Sequence, residues 1–140
     1  MSSSDNAAEE GSIIFDEQSL TIGGRSITIH EITFIDGMKV AGLITPMIDD
    51  LADALLQTSD GELGLSVLES LFAEHLAIFS SLIVTCSNID NVNFINELSD
   101  EDGQQLLQIF WTVNSRFFMR RLQRRRLEKS KAMLQEKTTQ

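Results

Sequence analysis

The sequence contains one cysteine, one proline, no tyrosine and two histidines in 140 residues. The single thiol, Cys86, excludes an intrachain disulfide and a metal site built from several cysteines, and we expect it to be a small core residue. His30 falls on the polar face of a predicted hairpin and His75 on the edge of a predicted helix, so neither is expected to be catalytic or a ligand. The usual metalloprotease, redox, serine-nucleophile and phosphate-loop motifs are also missing. We therefore expect no enzyme activity, no cofactor and no metal.

Basic residues are scarce over most of the chain. Residues 1 to 110 carry two basic and nineteen acidic side chains, whereas residues 111 to 140 carry nine basic and two acidic ones, and the whole chain has a formal net charge of −10. The acidic and basic parts of the chain attract each other, a second copy of the chain or another charged partner. Salt weakens this attraction, because it screens exposed charges within about 8 to 10 Å. The charge pattern favours an electrostatic partner over a buried chemical site.

Long hydrophobic runs are missing too, since no stretch approaches the roughly 20 apolar residues that cross a bilayer, and the first residues lack the features of a secretory signal. We expect a soluble, intracellular protein. Length and composition predict a flexible acidic leader over residues 1 to 11, a single globular domain over residues 12 to 122, and a basic helical or disordered tail over residues 123 to 140.

The first structured region is predicted to be a β-hairpin between Gln18 and Ile32, because apolar and polar residues alternate on both sides of Gly23-Gly24. A two-residue turn at these glycines places Leu20 opposite Ile27. The apolar face then consists of Leu20, Ile22, Ile27 and Ile29. A short strand at Ile13 to Phe15 is predicted to extend the sheet, since an isolated hairpin is marginally stable in water.

The apolar pattern changes to a helical period at Asp36. Pro46 interrupts the first helical stretch, and we favour a break there over a kink in one helix. A second helix is predicted from about Glu62 to Val84, followed by a connector, Asn88 to Asn96, that its apolar residues hold to the core. The inward face of the second helix is predicted to contain Leu65, Leu68, Phe72, Leu76, Phe79 and Ile83.

The last helix has the clearest start, because Ser99 can cap it and three carboxylates follow in its first turn. It is predicted to run for roughly 30 residues, about 45 Å, with the part beyond Leu122 projecting from the domain. Its broad apolar face consists of Leu106, Leu107, Phe110, Trp111, Val113, Asn114, Phe117 and Phe118. The fold class is therefore α+β, mainly α: a small N-terminal hairpin followed by a bundle of three to four helices with a long C-terminal helix.

Two clusters of charged residues could in principle form a site. Asp49, Asp50 and Asp53 share one side of a helix, but they lack ligands from other elements or a loop of defined spacing, so we interpret them as a solvated face. The second cluster consists of arginines that recur at four-residue spacing. This spacing places their guanidinium groups in two rows along one side of a helix, where they can bind carboxylates or phosphates. The arginines are Arg120, Arg121, Arg124, Arg125 and Arg126. We favour an acidic protein surface as their partner, in the same chain or another, with nucleic acid and a plain solvated tail as alternatives.

An aromatic stripe precedes the arginines. In Trp111-Thr-Val-Asn114-Ser-Arg-Phe117-Phe118 the helical spacing indicates core, and Asn114 needs a hydrogen-bond partner if it is buried. This segment resembles the aromatic, asparagine and double-phenylalanine helix of the tail assembly chaperones of tailed bacteriophages. The resemblance covers about residues 20 to 122. Two further segments contribute to it: Arg25-Ser-Ile-Thr-Ile-His-Glu-Ile-Thr-Phe34 and Phe94-Ile-Asn-Glu-Leu-Ser-Asp-Glu-Asp-Gly-Gln-Gln-Leu-Leu107. The chain departs from the family pattern in its arginine density after Phe118.

The resemblance implies a protein of the infected host's cytoplasm that binds and solubilises the helical tape measure protein and helps to recruit tail tube subunits. It implies core or groove positions for Trp111, Asn114, Phe117 and Phe118, and binding to the elongated partner in several copies, which favours self-association. The alternatives are a small regulator that binds nucleic acid through the arginine-rich helix, and a structural component of the virion.

Overall fold

A computed structural model describes the backbone of residues 17 to 139 and the side chains of residues 17 to 136. Within these residues two strands precede five helices, which confirms the predicted α+β, mainly α fold with a long C-terminal helix. The elements are β1 (Glu17–Ile22), β2 (Arg25–His30), α1 (Phe34–Leu56), α2 (Leu65–Glu74), α3 (Leu76–Thr85), α4 (Val92–Asn96) and α5 (Asp100–Thr139). The predicted acidic leader and the predicted strand at Ile13 to Phe15 lie outside the described residues.

The hairpin has the predicted register, with Leu20 opposite Ile27. Gly23 and Gly24 both have positive φ, 55° and 73°. A two-residue turn of this hand matches the twist of the strands but is unfavourable for residues with a Cβ atom, which explains the pair of glycines. The apolar face of the hairpin packs into the core, where Ile22, Ile27 and Ile29 are buried and Leu20 is half-buried.

The second edge of β2 is paired by the segment that follows α3. The backbone N–H of His30 donates to the carbonyl of Cys86 at 2.8 Å, and that of Asn88 donates to the carbonyl of Thr28 at 3.3 Å. The Asn88 side chain also accepts from the Thr28 N–H at 3.0 Å. These bonds satisfy backbone groups of an exposed strand edge and fix the hairpin to the helices.

Helix α1 continues through Pro46, so the prediction of a break there is wrong. Proline removes one backbone hydrogen bond, here to the carbonyl of Gly42, and normally costs about 3 kcal/mol inside a helix. Both Gly42 and Pro46 are exposed, so water can reach the freed carbonyl. Apolar side chains on both sides of the proline are buried against the same core, which stabilises the continuous helix. They include Ile44, Met47, Ile48 and Leu51.

The predicted single helix from Glu62 to Val84 is two helices that meet at a bend of 103°. His75 joins them with a non-helical backbone, φ −118° and ψ 44°. The rings of Phe72 and Phe79 stack at 4.7 Å across the bend, so the apolar period stays in phase on both sides and does not reveal the break. Two residues of the predicted inward face, Leu65 and Leu76, are exposed as a result.

Among the residues that the structure describes, no single helix is both long and apolar enough to cross a bilayer. Helices α2 and α3 reach the required length and composition only when they are taken together across their bend.

Helix α5 begins as predicted, with the hydroxyl of Ser99 accepting from the Asp102 N–H at 3.2 Å. It is 40 residues long, about 60 Å at 1.5 Å per residue, and so longer than predicted. The Asp102 carboxylate accepts from the Gly23 N–H at 3.1 Å, which joins the helix start to the hairpin turn. Beyond Leu122, Arg125 and Lys129 still contact α1, so the helix lies against the domain as far as Lys129.

Helices α1 and α5 approach closely at Gly37. A Cβ atom there would lie 3.0 Å from a ring carbon of Phe117 and 3.3 Å from a guanidinium nitrogen of Arg121. Phe117 is buried and its ring is 5.1 Å from that of Phe118, so it has little room to move. Glycine at this position allows the two helices to pack and places Arg121 beside α1.

We predict that Gly37→Ala is less stable than Gly42→Ala by about 1 to 3 kcal/mol, because overpacking opposes the gain in helix propensity. Gly42 is the matched control, since it lies in the same helix and a Cβ there would meet no atom within 4 Å. Urea unfolding followed by circular dichroism measures the difference. Equal stability of the two variants would contradict the close approach.

Candidate functional site

Helix α5 carries all five predicted site arginines, but the structure divides them into different surroundings. Arg125 donates to Asp49 of α1 at 2.6 Å and to Glu128 at 3.0 Å, and these hydrogen bonds raise the pKa of Arg125 above its ordinary value. Arg126 faces another side, beside the loop that follows α1. The remaining three, Arg120, Arg121 and Arg124, line one cavity together.

Asp49, Asp50 and Asp53, which the sequence predicts to be a solvated face, are partly exposed, and each also has a basic or imidazole partner. Asp49 pairs with Arg125, and Asp53 accepts from the ammonium group of Lys129 at 2.5 Å. Asp50 lies 2.6 Å from the imidazole of His75. The acidic body and the basic terminal helix therefore attract each other partly within one chain, which is one of the arrangements expected from the charge pattern. These pairs are partly exposed, so solvent screens them and each contributes little to stability.

Arg121 is held in place by the aromatic ring beside it. Its guanidinium carbon lies 3.8 Å from the ring centroid of Phe117, and one N–H donates to the Phe117 carbonyl at 2.9 Å. Partial burial, together with the charges of Arg120 and Arg124, lowers the pKa of Arg121 from its ordinary value. The cation–π contact and the backbone bond fix one guanidinium group at the base of the cavity.

Arg120 and Arg124 are exposed, and within residues 17 to 136 no carboxylate forms an ion pair with either of them. They lie four residues apart on α5, one turn or about 6 Å along the axis. These two guanidinium groups are therefore available to an anionic partner.

Two adjoining cavities lie along this part of α5. The first is bounded by the turn between β2 and α1 together with Phe34, and the second by residues 41 to 49 of α1. The first has a volume of about 520 Å³ and includes Phe34, Arg120, Arg121 and Arg124 in its lining. The second has a volume of about 310 Å³ and is lined on the α1 side mainly by Ala41, Ile44, Thr45 and Ile48, with Arg121 and Arg124 again on the α5 side. Because the cavities share two arginines, we treat them as one feature, which we call the arginine groove.

The α1 edge of the arginine groove is apolar. Phe34, Ala41 and Thr45 line the arginine groove. Met38 lines neither cavity but lies on the same side of the helix, because the four residues recur at three- and four-residue intervals. Phe34 is 78% exposed and Met38 61% exposed, and the adjacent Ile35 is 56% exposed. Large apolar side chains this exposed and this close together are typical of binding surfaces.

A second apolar depression lies between α3 and α4. It has a volume of about 410 Å³ and no charged side chain in its lining. The lining residues are Leu76, Ala77, Ser80, Ser81, Val92 and Asn96. It provides an uncharged comparison for the arginine groove.

The aromatic residues of the predicted family motif form the core behind the groove, as their spacing indicates. Phe117 and Phe118 are buried, and the half-buried Trp111 stacks on Phe118 with ring centroids 5.6 Å apart. Phe118 also contacts Phe110 at 5.8 Å. The rings of Phe110, Trp111 and Phe118 also contact Phe72, so they pack α5 against α2, whereas Phe117 packs beside Gly37 of α1.

Asn114 is fully buried and bridges two backbone groups, as a buried polar residue in this face requires. Its side-chain oxygen accepts from the Ile32 N–H at 2.8 Å, and its amide donates to the His30 carbonyl at 3.3 Å. The same amide lies 3.8 Å from the sulfur of Cys86. Asn114 thus ties α5 to the turn between β2 and α1, where the groove begins.

Few of the described residues offer catalytic chemistry. Burial raises the pKa of the Cys86 thiol to about 12, so it is a poor nucleophile at neutral pH. Asp50, Glu74 and His75 place one ligand atom each within 4.8 Å of one another and could hold a divalent cation. In the structure His75 and Asp50 are in direct hydrogen-bond contact, which joins α1 to the bend between α2 and α3.

Comparison with known proteins identifies a family. A family model matches residues 10 to 140, and the chain belongs to this family, which is described as a family of unknown function (DUF6631). No curated protein and no solved structure matches the chain. A function must therefore be argued from the chain's own surfaces.

Sequence reasoning found the arginines but missed the α1 edge of the groove. The predicted break at Pro46 divided the helix, and the early residues Phe34 and Met38 were left outside its apolar stripe. Their spacing with Ala41 and Thr45 is a signal that could have been read. The pairing of Asn88 with β2 was also missed, because it depends on the bend at His75, for which the sequence pattern gives no sign.

We predict that Asn114→Ala lowers the free energy of unfolding by about 2 to 3 kcal/mol, because the buried Ile32 N–H loses its acceptor. Asn96→Ala is the control, since Asn96 is exposed on α4 and its replacement is expected to change stability by less than about 0.5 kcal/mol. Urea unfolding measures both. If Asn114→Ala unfolds at the same urea concentration as the control, the bridging role is wrong.

Proposed function

We propose that this protein is a bacteriophage tail assembly chaperone, which acts in the host cytoplasm by binding and solubilising the tape measure protein and by helping to recruit tail tube subunits. One observation supports the proposal most strongly: Phe34, a highly exposed apolar residue at the start of α1, lines a cavity together with exposed arginines, on a chain that is otherwise strongly acidic. The family-like segments in the sequence, with Trp111, Asn114, Phe117 and Phe118, are consistent with it.

The physical reason is the nature of the substrate. A long helical protein exposes apolar side chains until a tube of other subunits encloses it, and it needs a temporary partner that covers these side chains. A groove between two helices suits an amphipathic helix, whose apolar residues recur at three- and four-residue spacing. The net charge of −10 keeps such complexes from aggregating. Several copies bound along one partner would gain affinity through multivalency.

The arginine groove favours this function over nucleic-acid binding. Its free arginines are confined to one short stretch, and Glu31, Asp49 and Glu128 also line its two cavities. A long polyanion would meet these carboxylates and the acidic surface of the domain, whereas a short helical segment with mixed chemistry would not. Apolar residues on the α1 edge also have no role in binding a phosphate backbone.

Co-expression with a candidate tape measure protein tests the proposal. We predict that the tape measure protein stays soluble and co-purifies with the wild-type chain, and that the double variant Phe34→Ser with Met38→Ser reduces the recovered complex at least about tenfold through loss of apolar contact area. The control is Leu43→Ser, which removes a residue that is 50% exposed on another side of α1.

The proposal would be contradicted if the tape measure protein were soluble but did not bind the wild-type chain. Persistence of the protein in purified virions would instead favour a structural component. Retention of the complex by Phe34→Ser with Met38→Ser, together with its loss in Leu43→Ser, would place the binding surface elsewhere.

A further inference from the structure

We infer that the arginine groove selects a particular chemistry in its partner: an amphipathic helix of the tape measure protein that carries two carboxylates one turn apart beside its apolar stripe. This inference rests on the proposed function and specifies the partner segment. It follows from the contrast between the two edges of the groove, one apolar on α1 and one cationic on α5.

The length of the groove sets the length of the segment. From Phe34 to Thr45 the α1 edge spans eleven residue steps, about 16 Å. A partner helix lying along it would make contact over about three turns. The side chains that reach the edge would recur at positions i, i+3 or i+4, and i+7, as in other helices bound in grooves.

The α5 edge sets the charge of the segment. Arg120 and Arg124 are exposed and unpaired within residues 17 to 136, and their one-turn spacing matches Asp or Glu residues at i and i+4 of a facing helix. Arg121, which lies between them in the sequence, already contacts Phe117. Its positive charge still attracts an anionic partner, but its N–H groups are less available to pair with a carboxylate. Guanidinium groups pair with carboxylates through two parallel hydrogen bonds, which gives geometric selectivity as well as attraction.

The ends of the groove limit that charge. At one end the Asp49–Arg125–Glu128 cluster neutralises the next arginine, and at the other end Glu31 lines the first cavity. A long acidic run on the partner would meet these carboxylates and be repelled, so two acidic residues fit better than five or six. The second depression, beside Leu76, has no charged residue in its lining and would not discriminate between acidic and neutral helices.

The test uses the full chain and charge reversal. Arg120→Glu with Arg124→Glu removes the cationic edge, and Arg126→Glu with Lys131→Glu is the control, because it makes the same change in net charge at two exposed residues outside the groove. Binding is measured by fluorescence anisotropy against overlapping 20-residue peptides of the tape measure protein. Each bound peptide is compared with a copy in which its Asp and Glu residues are replaced by Asn and Gln.

We expect the best-bound peptides to hold two carboxylates one turn apart beside an apolar stripe. The groove variant should bind them about 10- to 100-fold more weakly than the control variant, because it replaces attraction by repulsion, and the amide copies, which lose only the attraction, should bind the wild type up to about 30-fold more weakly. Raising the salt concentration from 50 to 300 mM should weaken wild-type binding several-fold but should not weaken the residual binding of the groove variant, because salt screens the repulsion from the introduced glutamates. A peptide with Lys in place of the two carboxylates should bind the groove variant better than it binds the wild type.

Three outcomes would overturn the inference. In the first, the tape measure protein binds but neither charge reversal nor amide substitution changes its affinity, so the chaperone function stands and the partner chemistry is wrong. In the second, the groove variant loses only self-association of the free chain, so a second copy occupies the groove. In the third, a DNA duplex binds more tightly than every peptide. Failure of the proposed function is a separate result, because the whole tape measure protein would then fail to bind at any salt concentration.

Discussion

The hydrogen bonds of Asn114 hold the two halves of this small protein together. Its amide reaches from the long terminal helix to the backbone of His30 and Ile32, where the hairpin ends and α1 is about to begin. The site is fully buried, so each of these backbone groups would be costly to leave unpaired. The aromatic rings of Trp111, Phe117 and Phe118 fill the space around it. An apolar residue at position 114 could add packing, but it could not set the direction in which the chain leaves the hairpin.

The arginine groove is a consequence of that arrangement. Once α1 starts beside α5, Gly37 lets the helices meet at Phe117, and the same contact places Arg121 against the Phe117 ring. The ion pairs from Arg125 to Asp49 and from Lys129 to Asp53 then hold the two helices together beyond the aromatic core. Between these contacts the helices leave an open groove with apolar residues on one edge and guanidinium groups on the other. The charge separation in the sequence is thus used partly to pack the chain and partly to leave a few cations free.

Much of the fold could be predicted from the sequence, because its signals are local. The Gly23-Gly24 turn fixes the hairpin register, and Ser99 with its following carboxylates fixes the start of α5. The errors arose where distant contacts decide the outcome. Pro46 is accommodated because residues before and after it share one core, and the bend at His75 occurs without disturbing the apolar period. Only the arginines of the site could be predicted, because their spacing is visible in the sequence. The exposure of Phe34 and Met38 could not, because it depends on which elements pack against α1. The same limit applies to Asp49 and Asp53, whose partners lie more than 70 positions away along the chain.

The central claim is that the arginine groove is where another polypeptide binds. Site-specific photo-crosslinking tests it most directly, with p-benzoylphenylalanine in place of Phe34 on the groove edge or, as the comparison, in place of Leu76 in the uncharged depression. Both residues are well exposed, at 78% and 56%, so both probes can reach a partner. With the tape measure protein co-expressed, the account predicts a strong covalent adduct from position 34 and little from position 76. An adduct from position 76 and none from position 34 would contradict it.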